Sequence, residues 1–209
     1  RFGVYGRYTG LRHTVIFGGV SQHHQVKALR RGVHIVVATP GRLLDLMQQR
    51  LLSLEHVATF VLDEGERMLD MGFLPDIRAI TRALPAQRQS LLFSATMPDP
   101  IVKLAQTLVQ DAVHVTIDPG QPAVEKIEQQ VLFVEKQDKI SLLTSLLEDP
   151  AKDKVLVFAQ MKHAANKLAQ RLENAGISAK AIHGNKSQAA RTRALAGFKN
   201  GRTRVLVAT

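Results

Sequence analysis

Two adjacent carboxylates, Asp63 and Glu64, follow the short apolar segment Thr59–Leu62. Such a segment is typical of a strand buried in a parallel sheet, and these sheets bind their ligands beyond the carboxyl ends of the strands. An Asp in this place can hold Mg²⁺ through water, and a neighbouring Glu can orient or deprotonate an attacking water molecule. The pair therefore predicts a site for nucleotide hydrolysis. The alternative interpretation is that both carboxylates only stabilise the start of the following helix.

A second apolar segment, Gln89–Phe93, is also typical of a buried strand, and the polar residues Ser94 and Thr96 follow it. Because the carboxyl ends of parallel strands meet at one edge of a sheet, we expect these hydroxyl groups to lie near Asp63 and Glu64. Two strands would then converge on one polar crevice.

Two further turns carry small or polar residues at the ends of predicted strands. Gly18 and Gly19 follow the segment His13–Phe17, and Thr39-Pro40-Gly41-Arg42 follows His34–Ala38. Each turn has an ordinary explanation. The glycines can adopt positive φ, and a Thr followed by a Pro suits the start of a helix.

Taken together, the motifs of this chain resemble those of the DEAD-box ATP-dependent RNA helicases of superfamily 2. They occur in that family's order across nearly the whole chain, which makes the resemblance highly specific. The matching segments are the Gly-Gly pair at Gly18 and Gly19, motif Ib at Thr39–Arg42, motif II at Asp63–Glu66, motif III at Ser94–Thr96, motif IV at Val155–Phe158, the QxxR element at Gln188 and Arg191, and the opening of motif V at Arg204–Thr209. The phrase His183–Gln188 with Arg191–Leu195 is most similar to the bacterial RhlE-type branch.

The resemblance implies ATP and Mg²⁺ as cofactors. Asp63 would hold Mg²⁺ through water, Glu64 would activate the hydrolytic water, and Glu66 would couple this site to Ser94 and Thr96. ATP binding would close two domains over the RNA, so that a short duplex comes apart locally.

The resemblance also implies RNA as the partner, held by contacts to its sugar-phosphate backbone, which give affinity without sequence specificity. The implied RNA-binding residues are Gly18, Gly19, Thr39, Pro40, Gly41, Arg42, Gln188, Arg191 and Thr209. Phe158, His183 and Gly184 would shape the cleft behind them. Alternatively, Phe158 belongs to the core, and His183 is a hydrogen-bonded interior histidine.

The chain departs from the family pattern in two ways. Where the family has Asp-Glu-Ala-Asp, this chain has Gly65 and Glu66 as the last two residues. We expect Gly65 to loosen the start of a helix and the longer Glu66 to strain the coupling of ATP to RNA. The 209 residues also contain neither a Gly-x-x-x-x-Gly-Lys-Ser/Thr loop nor motif VI. We therefore expect an internal piece of a longer helicase, with little or no ATPase or unwinding activity alone.

Composition is consistent with a folded chain that binds a polyanion. The hydrophobic content is 45%, the net charge is +10 and cysteine is absent. No stretch approaches the ~20 apolar residues of a membrane helix, and no secretory signal is visible, so we expect a cytoplasmic protein. Most of the positive excess falls in the second half, where His183–Thr209 contains no acidic residue. That segment is an electrostatic footprint for nucleic acid or, alternatively, an ordinary solvated surface.

Alternating helix and strand patterns predict an α/β fold made of two incomplete RecA-like domains with mostly parallel sheets. We expect the first domain at residues 1–117, a linker at 118–124 and the second domain at 125–209. Strands are also predicted at Val113–Thr116 and Gln129–Val134. Two other functions stay open, namely a truncated non-catalytic module that binds RNA or a protein partner, and a DNA-acting superfamily 2 enzyme.

Overall fold

The computed structural model describes residues 2–109, 111–117 and 127–209. The chain divides into two compact units, residues 1–117 and residues 118–209. The predicted linker, residues 118–124, lies outside the described residues.

Unit 1 contains ten described elements, in which helices alternate with short strands. They are α1 (Phe2–Tyr5), β1 (His13–Ile16), α2 (His23–Arg30), β2 (Ile35–Ala38), α3 (Pro40–Gln48), β3 (Thr59–Leu62), α4 (Gly65–Asp70), α5 (Leu74–Arg82), β4 (Gln89–Leu92) and α6 (Asp99–Leu108). Strand β1 pairs with β2, and β3 pairs with β4, both in parallel. In the second pair, Leu62 lies opposite Leu92, so both strands end at the same level.

Unit 2 contains six described elements around one three-stranded sheet. They are α7 (Lys139–Leu146), β5 (Val155–Phe158), α8 (Lys162–Asn174), β6 (Ala179–Ile182), α9 (Gln188–Lys199) and β7 (Val205–Ala208). The sheet order is β5-β7-β6, and both pairs are parallel. Every strand pair in the described parts of the chain is therefore parallel, which confirms the predicted α/β class.

Two predicted strands are wrong. Residues 113–116 and 129–134 are irregular, although both are rich in the β-branched and apolar residues that favour strands. Their side chains are exposed, 88% for Val113 and 97% for Phe133. A strand is stable only when its backbone pairs with a neighbour and one face is covered, and the described residues give these segments no such neighbour.

The cores follow from the apolar faces of the helices. In unit 2, Leu172 of α8 packs with Leu147, Val205 and Val207 in a fully buried cluster. Unit 1 has two smaller clusters, one around Leu62, Ile77 and Leu104 and the other around Leu54, Ile80 and Leu84.

The sheet faces that point away from these clusters are exposed to solvent. Val15 in β1, Val61 in β3 and Leu156 in β5 each keep about half of their surface exposed. Strands of parallel sheets are apolar on both sides and are usually covered on both. None of the helices in the described ranges has the length and apolar content needed to cross a lipid bilayer.

Candidate functional site

The carboxylate pair lies where the sequence places it, directly after β3. The backbone N–H of Glu64 donates to Asp63 Oδ1 at 3.0 Å, which fixes that carboxylate at the strand end. Glu64 occupies the N-cap position of α4 in the left-handed region, at φ 53° and ψ 50°. A non-glycine residue in this region is strained, and such strain is concentrated at functional sites. Glu64 makes no capping hydrogen bond with its side chain, so any stabilisation of the helix start by Glu64 comes from its charge alone.

Glu64 and Asp63 are both exposed to solvent. Glu64 Oε2 pairs with Arg67 Nη1 at 3.2 Å, one turn along α4. Both side chains are largely exposed, and an ion pair of this kind contributes little to stability. The carboxylate of Glu64 can therefore leave Arg67 at small cost and turn toward a ligand.

Glu66 joins this strand end to the next one. Its Oε2 accepts hydrogen bonds from the Ser94 hydroxyl and, at 3.2 Å, from the backbone N–H of Ala95. Its own backbone N–H donates to Ser94 Oγ at 3.2 Å. The Ser94 hydroxyl also lies 2.7 Å from the carbonyl oxygen of Thr96. The longer Glu side chain therefore reaches both Ser94 and the Ser94–Thr96 backbone, although the sequence predicts strain at this position.

These hydrogen bonds stabilise the ionised form of Glu66. The Ser94 hydroxyl contributes most, followed by the backbone N–H groups of Glu66 and Ala95, and together they lower the pKa of Glu66 below its ordinary value of 4.5. The folded carboxylate thus stays charged at a pH where the unfolded one takes up a proton. The resulting stabilisation of the folded state is complete above pH 4.5 and is lost as the pH falls through the lowered pKa of Glu66.

Gly65 is the first residue of α4, and its backbone does not require glycine. Its φ is not positive, and a Cβ here would lie 3.5 Å from Ser94 Oγ, which is ordinary van der Waals contact. We expect Gly65→Ala to raise the free energy of unfolding by about 0.4–1 kcal/mol, because alanine restricts the unfolded chain and favours helix. Urea unfolding followed by circular dichroism measures the change.

Gly72 is the matched control. It lies just beyond α4 with φ +75°, and within the described residues no atom comes within 4 Å of the place that a Cβ would take, so an alanine there would meet backbone strain and no steric clash. Gly72→Ala is expected to destabilise by about 1 kcal/mol. Equal effects of the two substitutions would contradict the assignment of Gly65 as a replaceable helical glycine.

Mg²⁺ is the metal that the motif implies. In the described residues, no group of three or more His, Cys, Asp or Glu side chains is arranged to hold a metal ion. Proteins usually hold Mg²⁺ with one or two carboxylates, while water and substrate phosphates supply the other ligands. Asp63, exposed at the end of β3, fits the role of that single carboxylate.

A groove in unit 1 brings together the turns after β1 and β2. It has a volume of about 350 Å³ and is lined by Gly18, Thr39, Gly41, Arg42, Asp45 and Phe73. Thr39 is the N-cap residue of α3, yet its side chain makes no capping hydrogen bond. Pro40 is buried at the first helical position, and Gly19 has φ +79°. The groove therefore gathers four of the six predicted RNA-binding residues of this unit, while Pro40 and Gly19 shape its backbone.

The predicted RNA-binding residues of unit 2 lie on α9 and after β7. Gln188 begins α9, and its Oε1 accepts a hydrogen bond from Arg191 Nη1 at 3.2 Å. Arg191 and Thr209 are exposed. Thr209 follows β7 and makes no hydrogen bond with Gln188 or Arg191 in the described structure. Of these three residues, only Gln188 and Arg191 are therefore in direct contact through a hydrogen bond.

The two residues with competing interpretations have opposite environments. Phe158 ends β5 and is 75% exposed, so its assignment to the core is wrong. His183 follows β6 and is 5% exposed, with Nε2 3.0 Å from Asn166 Oδ1. It is a hydrogen-bonded interior histidine, as one interpretation predicts. Among the described residues, its buried Nδ1 finds no hydrogen-bond partner.

Burial makes His183 sensitive to pH. It lowers the pKa of His183 below the ordinary value of 6.5, and the positive charges of Lys186 and Lys162 lower it further. Below pH 6.5, His183 takes up a proton in the unfolded chain but stays neutral in the folded chain. The contribution of His183 to stability is therefore complete at neutral pH and declines from pH 6.5 down to the pKa of the folded state.

We therefore expect His183→Gln to flatten the acid side of the stability profile of unit 2. The thermal midpoint of wild type should fall between neutral pH and about pH 5.5, whereas that of His183→Gln should fall less. The exposed His163 of α8 provides the control substitution His163→Gln, which should behave as wild type. Parallel profiles for all three proteins would contradict the role of His183.

Sequence reasoning missed several members of these sites. Asp45 and Phe73 line the groove, Arg67 pairs with Glu64, and the Ala95 backbone serves Glu66. Asp45 stands three residues after Arg42, a spacing that places oppositely charged side chains together on a helix and so could have indicated it. Gln25 is a further omission, because it is a polar residue at a buried position of α2.

Two family models match the chain. One, described as DEAD/DEAH box helicase, matches residues 1–104, and the other, described as Helicase conserved C-terminal domain, matches residues 138–209. The first match lies within unit 1, and the second lies within unit 2.

Curated proteins and a solved structure similar to this chain agree with the two family matches. The chain is 42% identical over 205 residues to a protein of Streptococcus pneumoniae named DEAD-box ATP-dependent RNA helicase CshA, covering 98% of this chain and 39% of that protein. It is 42% identical over 204 residues to the protein of the same name from Geobacillus kaustophilus, covering 98% and 44%. The structure of S. cerevisiae Dbp5 bound to RNA and ADP BeF3 has a TM-score of 0.82 at 28% identity, over 99% of this chain and 52% of that one.

The chain thus spans about two fifths of the length of these curated relatives. The relatives named here are CshA proteins, and the predicted RhlE-type branch stays a prediction. Parallel α/β units, the motif order, both family models and the relatives all agree: the chain belongs to the DEAD-box family of helicases.

Proposed function

We propose that these residues form part of an ATP-dependent RNA helicase, which couples ATP hydrolysis to RNA binding and local duplex unwinding. The observation that carries the proposal is the connected site at the ends of β3 and β4. Asp63, Glu64 and Glu66 follow one strand, and Glu66 is hydrogen-bonded to Ser94 after the other. Because the bacterial relatives are named as RNA helicases, RNA is the proposed polymer, and an RNA substrate favours the cytoplasm as location.

In the proposed reaction, Asp63 would hold Mg²⁺ through water, and the bound ion would supply positive charge next to the phosphates. Glu64 orients the attacking water and takes its proton, a task that needs an accessible carboxylate within hydrogen-bond reach. Glu66 keeps its negative charge through the Ser94 and Ala95 hydrogen bonds, and so ties the end of β4 to the carboxylate pair. A change at the phosphates can therefore move Ser94 and Thr96.

The RNA backbone is proposed to bind along the unit 1 groove and at Gln188, Arg191 and Thr209 in unit 2. The groove offers the Thr39 hydroxyl and small glycines that let a backbone approach closely. Contacts of this kind carry no sequence information. The second half of the chain supplies most of the positive charge, which attracts phosphate over a longer range.

The 209 residues contain no Gly-x-x-x-x-Gly-Lys-Ser/Thr loop. That loop supplies the backbone amides and the lysine that cradle ATP phosphates. We propose that the 209-residue chain alone hydrolyses ATP at the background rate and binds single-stranded RNA with strong dependence on salt.

The test compares the 209-residue chain with the full-length natural protein that contains it. Mg²⁺-dependent ATP hydrolysis is measured with and without single-stranded RNA, and binding is measured with labelled RNA against unlabelled RNA and DNA competitors of the same sequence. The proposal is supported if the full-length protein shows RNA-stimulated hydrolysis and the 209-residue chain does not. RNA binding with no hydrolysis by either polypeptide favours the non-catalytic module, and equal competition by DNA favours a DNA-acting enzyme.

A further inference from the structure

Gln25 is a buried polar side chain that lies outside all the motif matches of the chain. It lies on α2 and is 6% exposed, in a chain where buried side chains are almost all apolar. A buried amide is unfavourable unless its polar atoms are hydrogen-bonded. Both ends of the Gln25 amide have partners, and both partners belong to the RNA-binding groove or its loop.

The partners fix the orientation of the amide. Gln25 Nε2 donates to the carbonyl oxygen of Phe17 at 3.0 Å, and Gln25 Oε1 accepts a long hydrogen bond from Arg42 Nη1 at 3.4 Å. A carbonyl only accepts and a guanidinium only donates. One orientation alone satisfies both partners, so Gln25 links the end of β1 to Arg42 in a defined way.

Arg42 is itself held on three sides, with its side chain only 14% exposed. Besides Gln25, it donates to the carbonyl oxygen of Val20 at 3.1 Å and pairs with Asp45 Oδ2 at 3.5 Å. Val20 belongs to the turn that contains Gly18 and Gly19, whereas Asp45 belongs to α3. The guanidinium therefore ties together the two walls of the groove.

Within the described residues, the turn has little else to hold it. Gly18 and Gly19 carry no side chains that could pack, Gly19 has φ +79°, and no atom of the described residues lies within 4 Å of a Cβ position at Gly18. Ordering a loose turn during binding costs conformational entropy, whereas a turn that is already ordered avoids this cost.

We propose that Gln25 is a positioning residue for RNA binding, which acts through Arg42 by holding it against the Gly18–Val20 turn. This inference rests on the proposed function of the groove. Two of the five N–H groups of Arg42 are hydrogen-bonded to protein acceptors, and its Nε is ion-paired with Asp45, so the two remaining Nη N–H groups are left for a phosphodiester oxygen. Gln25 thus decides how those two groups are presented, although it does not touch the RNA.

The test is a double-mutant cycle in the full-length natural protein, with binding of a labelled single-stranded oligouridylate as the readout. Gln25→Met keeps the length of the side chain but removes both hydrogen bonds, and we expect it to raise the Kd about fivefold to tenfold. In the Arg42→Ala background, the same substitution should change the Kd by less than about twofold, because the residue through which Gln25 acts is gone.

Gln25→Glu separates the two ends of the amide. A carboxylate still accepts from Arg42 but cannot donate to the Phe17 carbonyl, so part of the affinity should return relative to Gln25→Met. The side-chain Nε–H resonance of Arg42 gives a second readout, which should move toward the position of a solvent-exposed arginine in Gln25→Met and less in Gln25→Glu. Should Gln25→Met fail to fold, Gln25→Glu serves in the same cycle.

Gln170→Met is the matched control, because Gln170 is an exposed residue of α8 that is hydrogen-bonded to Asn174. It should leave RNA affinity unchanged. An equal loss of affinity on Gln25→Met with and without Arg42, or no loss at all, would overturn the inference while leaving the proposed function intact. Absence of RNA binding by the wild-type protein would instead overturn the proposed function.

Discussion

Glu64→Gln is expected to lower RNA-stimulated ATP hydrolysis by the full-length natural protein by about 10²–10⁴-fold, the usual contribution of a general base. Gln preserves the size of the side chain and tolerates the same backbone conformation, but it cannot take a proton from water. The exposed position of Glu64 and its loose pairing with Arg67 mean that the substitution leaves the core untouched. Initial rates at saturating ATP, with and without single-stranded RNA, measure the effect.

The control for this experiment is Glu55→Gln, the same chemical change at an exposed residue between α3 and β3. It should keep the wild-type rate. RNA affinity should be the same in Glu64→Gln and wild type, because Glu64 lies outside the groove. Activity of Glu64→Gln above about a tenth of the wild-type rate would show that another group accepts the proton.

Leu172→Ala is expected to destabilise unit 2 by about 2–5 kcal/mol, the range for truncating a fully buried leucine. Leu172 lies on α8 with no exposed surface and packs in the cluster of Leu147, Val205 and Val207. Its removal leaves a cavity between the helix and the sheet. Amide hydrogen exchange in β5, β6 and β7 measures the loss, because these strands are protected only while the sheet is intact.

Leu195→Ala is the matched control, since Leu195 lies on α9 with 39% of its surface exposed. The same truncation there should cost less than about 1 kcal/mol, because little apolar area leaves the core. If both variants exchange at the same rate, the cluster around Leu172 does not hold unit 2 together.

The sequence predicted most of the regular elements, because their patterns are local. The bounds of β3 are those of the apolar segment Thr59–Leu62, and β4 covers all but the last residue of the predicted segment Gln89–Phe93. Residues 113–116 have a similar pattern but form no strand, since pairing depends on a neighbour that a local pattern does not reveal.

Some residues of the candidate sites were likewise predictable from the sequence, whereas some of their contacts were not. Asp63 and Ser94 were predictable because each follows a predicted strand, and the parallel register of those strands brings their ends together. The reach of Glu66 to Ala95 depends on the length of one side chain, and the contact of Gln25 with Arg42 joins residues 17 positions apart. Neither contact has a periodic signature. Both are consequences of tertiary packing, so only the folded chain reveals them.

The strand order of unit 2 has a consequence for how the protein is made. Strand β7 is central in the sheet, yet it comes after β5 and β6 in the chain, and these two strands pair with β7 rather than with each other. During synthesis both strands emerge from the ribosome before their common partner exists. The sheet can close only after Val205–Ala208 has been translated, so β5 and β6 keep unpaired edges that are open to wrong pairings until then.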